Sequence, residues 1–284
     1  MARRASLAAQ TIKRSMTKTI LITGVSSGLG RAMAKAALER GHTVVGTLRQ
    51  DADLKEFEGL ALGRAHGRIL ELTNTAAIAP VVKSVEAEVG PIDVLINNAG
   101  FGLLGTVEEL SLEQVRREFE VNVFSHLAVI QAVLPGMRAR RAGHILNMAS
   151  MGGVITFPNV GAYHGSKFAV LGFTDALAQE VKPVGIHVTS ILPGLFDTDW
   201  AGRSLEKTES RIDDYAWIAK RGKPAMTGHP AALADAVMQV IEAKDPPLRF
   251  LVGPVALKLV RDKLREQLAE IDRWEDLSQV DGEG

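Results

Sequence analysis

The sequence predicts an α/β protein built on a single doubly wound parallel sheet of about seven strands, with helices on both faces. Three observations carry that expectation. Short, nearly continuous Val, Ile and Leu runs alternate with helical patterns from residue 18 onward, which is how strands buried on both faces of a sheet read. The 284 residues are 46% hydrophobic and 23% charged, values of an ordinary globular domain that exclude a disordered chain and a coiled coil. A glycine-rich turn directly follows the first apolar run, where such sheets bind ligands.

Residues 1–17 show no strand or strong helix pattern, and Met16 stands just before the first apolar run. They are expected to form a flexible basic extension: an upstream start, an added leader or, being free of acids, a transit peptide. The expected strands are Thr19–Thr23, Thr43–Leu48, Arg68–Leu72, Ile92–Asn97, His144–Met148, Ile186–Leu192 and Arg249–Val252. Helical patterns lie between them at Arg31–Arg40, at Ala76–Val89, at Leu112–Leu134 (ending at Pro135-Gly136) and at Ala162–Val181. Parallel neighbours need right-handed crossovers, so the alternation implies helices on both sides. No repeat or Pro/Gly-rich linker divides residues 18–284, which are therefore expected to form one domain.

The stretch 195–225 breaks the rhythm. It shows no strand pattern yet holds Trp200, Tyr215 and Trp217, three of the five Trp and Tyr residues, and reads as a substrate lid. Its charged residues, Arg203 to Asp214, are expected on the lid's solvated outer face. The tail 255–277 places apolar residues at steps of three and four, a helical face that packs on the core or on a partner.

Thirty-three basic and 33 acidic residues balance, so no nucleic-acid footprint shows in the total. The balance hides an asymmetry: residues 1–38 carry seven bases and no acid, and residues 261–284 carry eight acids against four bases. No run of 18 apolar residues is present, so no membrane span is expected. The absence of cysteine removes disulfides, thiolate nucleophiles and zinc ribbons, and the seven histidines show no ligand spacing, so no metal is expected. A cytoplasmic location fits this composition.

Two constellations carry chemistry. The turn Thr23-Gly24-Val25-Ser26-Ser27-Gly28-Leu29-Gly30 lets backbone approach an anion at the start of a helix. Arg49 ends the second strand where an acid would favour NAD, and it suits a 2′-phosphate instead. Tyr163 and Lys167 are four apart, so a phenol and an ammonium share one helix face. The cation is expected to lower the phenol's pKa and make it a usable acid or base. Ser150 follows the fifth expected strand and reaches the same sheet edge.

These residues resemble the classical short-chain dehydrogenase/reductases. The family's T-G-x-x-x-G-x-G matches Thr23–Gly30, its N-N-A-G matches Asn97–Gly100, and its Y-x-x-x-K matches Tyr163–Lys167. Its P-G-x-x-x-T matches Pro193–Thr198, its active-site serine Ser150, and its helix asparagine Asn122. The resemblance, strongest to members with an extended carboxyl end that reduce retinoids, steroids and other lipophilic ketones, implies a Rossmann-like fold. It implies hydride transfer between a nicotinamide and a ketone or secondary alcohol, with NADP(H) favoured and NAD(H) the alternative.

By that resemblance Tyr163 moves the proton and Ser150 binds the carbonyl oxygen. Lys167 holds the nicotinamide ribose, and Asn122 anchors a water of the proton relay. Cofactor contacts are implied for Gly24, Ser26, Ser27, Gly28, Leu29, Gly30, Arg49, Glu71, Leu72, Asn98, Ala99, Gly100, Tyr163, Lys167, Pro193, Gly194, Phe196 and Thr198. Ser150, Tyr163 and Trp200 are implied to meet substrate. Glu71 departs from the family's usual aspartate, which puts the adenine contact in question. A homodimer or homotetramer is expected. The rival readings are a non-catalytic NADP-binding regulator and an epimerase or dehydratase on the same scaffold.

Overall fold

The computed structural model describes residues 17–197, 204–220 and 228–280. Strands β1 (Thr19–Ile22), β2 (Thr43–Leu48), β3 (Ala65–Ile69), β4 (Val94–Asn97), β5 (Gly102–Leu104), β6 (Gly143–Met148), β7 (Ile186–Pro193), β8 (Leu205–Lys207) and β9 (Arg249–Val252) alternate with helices. Seven of them form one parallel sheet in the order β3-β2-β1-β4-β6-β7-β9. The chain winds outward from β1 to β3, then crosses back to β4, so the strand order reverses between β1 and β4. That reversal opens a crevice at the carboxyl edge of the sheet, the usual ligand position in open α/β folds.

Helices cover both faces. On one lie α1 (Gly28–Glu39), α2 (Ala52–Glu58) and α8 (Pro230–Glu242), which bury Met33, Ala37, Phe57, Leu233, Val237 and Met238 against Ile20, Ile22 and Leu146. On the other lie α3 (Thr75–Glu88), α5 (Ser125–Arg140) and α6 (Gly161–Val181), which bury Ile78, Val82, Val129, Ile130 and Leu177 against Leu21, Leu95 and Ile145. Successive strand residues point to opposite faces, which is why both faces need apolar side chains and the runs look continuous. The helical stretch 112–140 is long and apolar enough to cross a bilayer by composition. Val129, Ile130, Val133 and Met137 on it are nevertheless fully buried under the sheet, as in a core helix.

Three expectations are corrected. The third strand is Ala65–Ile69, not Arg68–Leu72. It is an edge strand whose Gly67 lets Leu54 close over it, and a Cβ there would stand 2.7 Å from Leu54 Cδ1. Leu70 and Leu72 lie just beyond it and turn into the core under the opposite face. The helix expected to end at Pro135-Gly136 runs to Arg140, where Arg141 takes φ 52°. Burial of Val133 and Met137 outweighs the cost of a proline in a helix interior, about 3 kcal/mol.

The third correction concerns the stretch 195–225, which does contain a strand. β8 pairs in parallel with β5, outside the main sheet. Its sequence, Leu-Glu-Lys, is too short and polar to read as one.

Candidate active site

The site begins at the strand reversal. Gly24 (φ 72°) and Gly28 (φ 57°) take left-handed backbone that side chains disfavour. A methyl on Gly30 would stand 2.0 Å from the Gly24 carbonyl oxygen, so the loop closes only around hydrogen. Asn98 Nδ2 donates to the carbonyls of Thr23 (2.9 Å) and Gly24 (3.0 Å). In return Thr23 Oγ1 accepts from the backbone N–H groups of Asn98 (2.9 Å) and Ala99 (3.0 Å). The loop after β4 is thereby stapled to the loop after β1, and the Asn98 side chain shapes that junction. Ser27 gives α1 no side-chain cap, which leaves first-turn N–H groups near Ser26, Gly28 and Leu29 open to an anion.

Arg49 is exposed just past β2, at the same edge. Glu71 lies two residues past β3, and its Oε1 accepts from the N–H and the hydroxyl of Thr73, both at 3.2 Å. Its carboxylate thus closes its own turn, beside the buried Leu72. After β7, Gly194 N donates to the Val252 carbonyl at 2.9 Å. The Phe196 ring is buried in the core and packs on Gly228, where a Cβ would stand 2.5 Å from it. Thr198 and Trp200 lie outside the described residues.

The catalytic candidates meet at this edge. Ser150 leaves β6 in extended backbone and its Oγ accepts from Gly152 N at 3.0 Å. The loop behind it is held by His164, whose Nε2 accepts from Phe157 N (2.9 Å) while Nδ1 donates to the Gly152 carbonyl (2.8 Å). Tyr163 and Lys167 stand one turn apart on α6, with Lys167 Nζ 5.6 Å from the phenol ring centre and donating to the Met148 carbonyl at 2.9 Å. Asn122 sits in a single π-helical turn, Glu120–Phe124, between α4 (Leu112–Phe119) and α5. Such a turn adds a residue to the helix and re-aims one side chain.

Asn122 Oδ1 accepts from Phe101 N (3.0 Å), and its Nδ2 donates to the Phe101 carbonyl (2.8 Å) and to Ser166 Oγ (3.1 Å). Both amide protons are thus committed. A methyl on Gly100 would lie 2.9 Å from Asn122 Oδ1 and 3.7 Å from Lys167 Nζ, which shows how closely the three approach.

The protonation states differ from the expectation. Burial pushes the Tyr163 phenol up to about 12, only partly countered by a hydrogen bond from Ser150. Desolvation lowers the Lys167 ammonium to about 8, against the pull of Glu118. Lys167 does not bring the phenol toward neutrality here: its ammonium points at the Met148 carbonyl, and low polarity penalises phenolate more.

Glu118, which the motifs did not mark, is fully buried on α4. Its Oε1 accepts from Leu103 N at 3.1 Å, and Oε2 has no hydrogen-bond partner. Desolvation raises it to about 7, against the Leu103 bond and Lys167. The one available sequence signal was an acid four residues before Asn122, on the helix face that turns inward.

The described part of the stretch 195–225 is tethered by polar groups. Glu109 Oε1 accepts from the N–H groups of Arg211 (2.6 Å) and Ile212 (3.0 Å), and Tyr215 O–H donates to Glu108 at 2.6 Å. Arg117 pairs with Glu206. Tyr215 and Glu206 thus fasten the segment to the loop before α4 and to α4 itself.

A stapled glycine loop at a strand reversal, facing a serine, a tyrosine and a lysine, defines a dinucleotide-dependent oxidoreductase of the Rossmann-like class. A sequence model of the short chain dehydrogenase family matches residues 18–209, and the chain belongs to that family. It is 37% identical over 243 residues to a 3-ketodihydrosphingosine reductase of Bacteroides thetaiotaomicron, covering 83% of this chain and 88% of the relative. A short-chain dehydrogenase from Streptomyces avermitilis matches it with a TM-score of 0.86 and 34% identity, over 93% of this chain and 98% of the other. Another, from Burkholderia cenocepacia in complex with NADP, has a TM-score of 0.74 and 25% identity, over 90% of this chain and 97% of the other.

Proposed function

We propose that this oxidoreductase uses NADP(H) to interconvert lipophilic ketones and secondary alcohols. The observation that carries the reading is the convergence of Ser150, Tyr163 and Lys167 on one sheet edge beside the glycine loop. The loop fits a dinucleotide, since the space at Gly30 admits no Cβ and the α1 amides are open to a phosphate. Gly24, Gly28, Gly30 and the first turn of α1 would hold the pyrophosphate, and Arg49 the 2′-phosphate. When bound, the nicotinamide supplies or accepts the hydride.

The chain's own residues handle the proton and the carbonyl. Tyr163 O–H donates to the carbonyl oxygen in reduction and takes the proton back in oxidation. The Ser150 hydroxyl donates a hydrogen bond to the same oxygen as negative charge grows on it. Lys167, held by the Met148 carbonyl, keeps its remaining N–H groups for the ribose. Asn122 keeps the Phe101 backbone and Ser166 in register behind it.

Two further observations support the finer reading. Arg49 stands exposed where an acid would repel a 2′-phosphate, and a solved relative holds NADP. A 37%-identical relative is named for reducing a keto-lipid, which supports an apolar substrate. A panel of ketones graded by hydrophobicity, assayed with NADPH and NADH, tests both. We expect kcat/KM to rise with apolar bulk and to favour NADPH. Arg49→Asp is expected to shift the preference toward NADH, and equal kcat/KM for the two cofactors in the unmodified protein would reject the assignment of Arg49.

A further inference from the structure

The last long helix, α9 (Pro254–Arg273), is docked only at its start. Ala256 and Val260 are buried beside Leu192 and Leu171, and Leu259 packs with them. Beyond Lys263 every described residue is exposed. The apolar stripe nevertheless continues along the same face. Leu264 is 49% exposed, Leu268 60%, Ile271 65% and Trp274 57%. At 3.6 residues per turn these four fall with Val260 within an arc of roughly 120°, so the docked face simply runs on past the body. A projecting helix of this length is marginal alone in water, and it presents an apolar strip that no described residue covers.

Charge indicates what covers the strip. Residues 254–265 carry four bases and one acid, and residues 266–280 carry five acids and one base. Along one flank of the stripe run Arg261, Arg265 and Asp272, and Glu275 follows just past the end of the helix. In an antiparallel pair centred on Leu268, Arg261 of one copy stands opposite Glu275 of the other, and Arg265 opposite Asp272. A parallel pair would instead align the two basic halves with each other and the two acidic halves with each other. The acidic outer half also argues against an anionic lipid surface.

We propose that α9 is a self-association surface, on which a second copy of this chain docks its own α9 antiparallel and two-fold related. Such an isologous contact buries Leu264, Leu268, Ile271 and Trp274 of both copies and satisfies the flanking charges at both ends. The same face turns inward at Val260, so the contact is continuous with each copy's own core.

The test is a charge swap read by sedimentation velocity across a dilution series of the full chain. Two double variants are compared, Arg261→Glu with Arg265→Glu, and Asp272→Arg with Glu275→Arg. All four positions are exposed and remote from the site, so ketone reductase activity and melting temperature serve as controls of folding. We expect each double variant to lose one association step relative to the unmodified chain. Mixing the two is expected to restore it, because every flank contact is then complementary again. A monomeric unmodified chain, reversed variants with unchanged mass, or failure of the mixture to re-associate each overturns the proposal. Pelleting of a monomeric chain with phosphatidylcholine or phosphatidylserine vesicles overturns it too, and assigns the strip to a membrane surface.

Discussion

At Tyr163, burial and hydrogen bonding act in opposite directions and burial prevails, so the phenol holds its proton across the physiological range. That suits a proton donor in ketone reduction. Tyr163→Phe is expected to lower kcat by roughly 10²–10⁴-fold while cofactor affinity stays within a few-fold, because the glycine loop makes no use of the hydroxyl. Turnover with fluorescence titration of the nucleotide checks it, and turnover within tenfold of the parent would remove Tyr163 as the donor.

Glu118 yields a pH prediction with a definite sign. Its folded value, about 7, lies above the usual 4.5, so the fold prefers the neutral acid. The buried group is tolerated without penalty below the unfolded value. The penalty grows as pH rises from 4.5 toward 7 and is complete above it. At about 1.4 kcal/mol per unit this amounts to a few kcal/mol, with the attraction of Lys167 already included. Glu118→Gln keeps an acceptor for Leu103 N, so it should raise Tm at pH 8.5 and leave it nearly unchanged at pH 5. An equal shift at both values counts against this account. The pairing of Tyr163 with Lys167 was legible because one helix turn fixes their spacing, and Asn122 came only with the resemblance; Glu118 was not legible, because an acid on an amphipathic helix ordinarily faces water.

Among the elements, those with a continuous apolar core were readable and those held by polar contacts were not. β2 and β9 match their expected bounds, Thr43–Leu48 and Arg249–Val252, because each is a short run of apolar or β-favouring residues. β5 and β8 escaped notice because their three-residue ladder is sustained by neighbours: Glu118 holds Leu103, and Glu109 and Glu108 hold the chain that follows β8. The π-helical turn at Asn122 was equally silent, since a one-residue insertion leaves no mark on a pattern that stays helical on both sides. Tyr215→Phe combined with Glu109→Gln removes two of the tethers of the segment 204–215. We expect KM for the best ketone to rise several-fold with the global Tm nearly constant. A Tm that falls in step with KM would place these contacts in the main fold instead.

For the molecule as a whole, the parallel sheet and its two helical layers were legible from composition and alternation. The strand order was not, because periodicity says which residues are buried and nothing of which strand lies beside which. β8 lies outside that sheet, joined by three ladder pairs to β5, whose Leu103 is buried in the body, and held beyond it by a few carboxylates. The sheet beneath has seven strands locked by apolar packing on both faces. The segment around β8 is expected to come loose before the sheet on warming. Amide hydrogen exchange is expected to be fast in 204–215 and slow in β1, β4 and β6, and reversible loss of activity should precede the calorimetric transition. On that expectation the working limit on heating is set by the segment around β8 rather than by the scaffold, and stiffening that segment would extend the usable temperature range while leaving the melting point where it was.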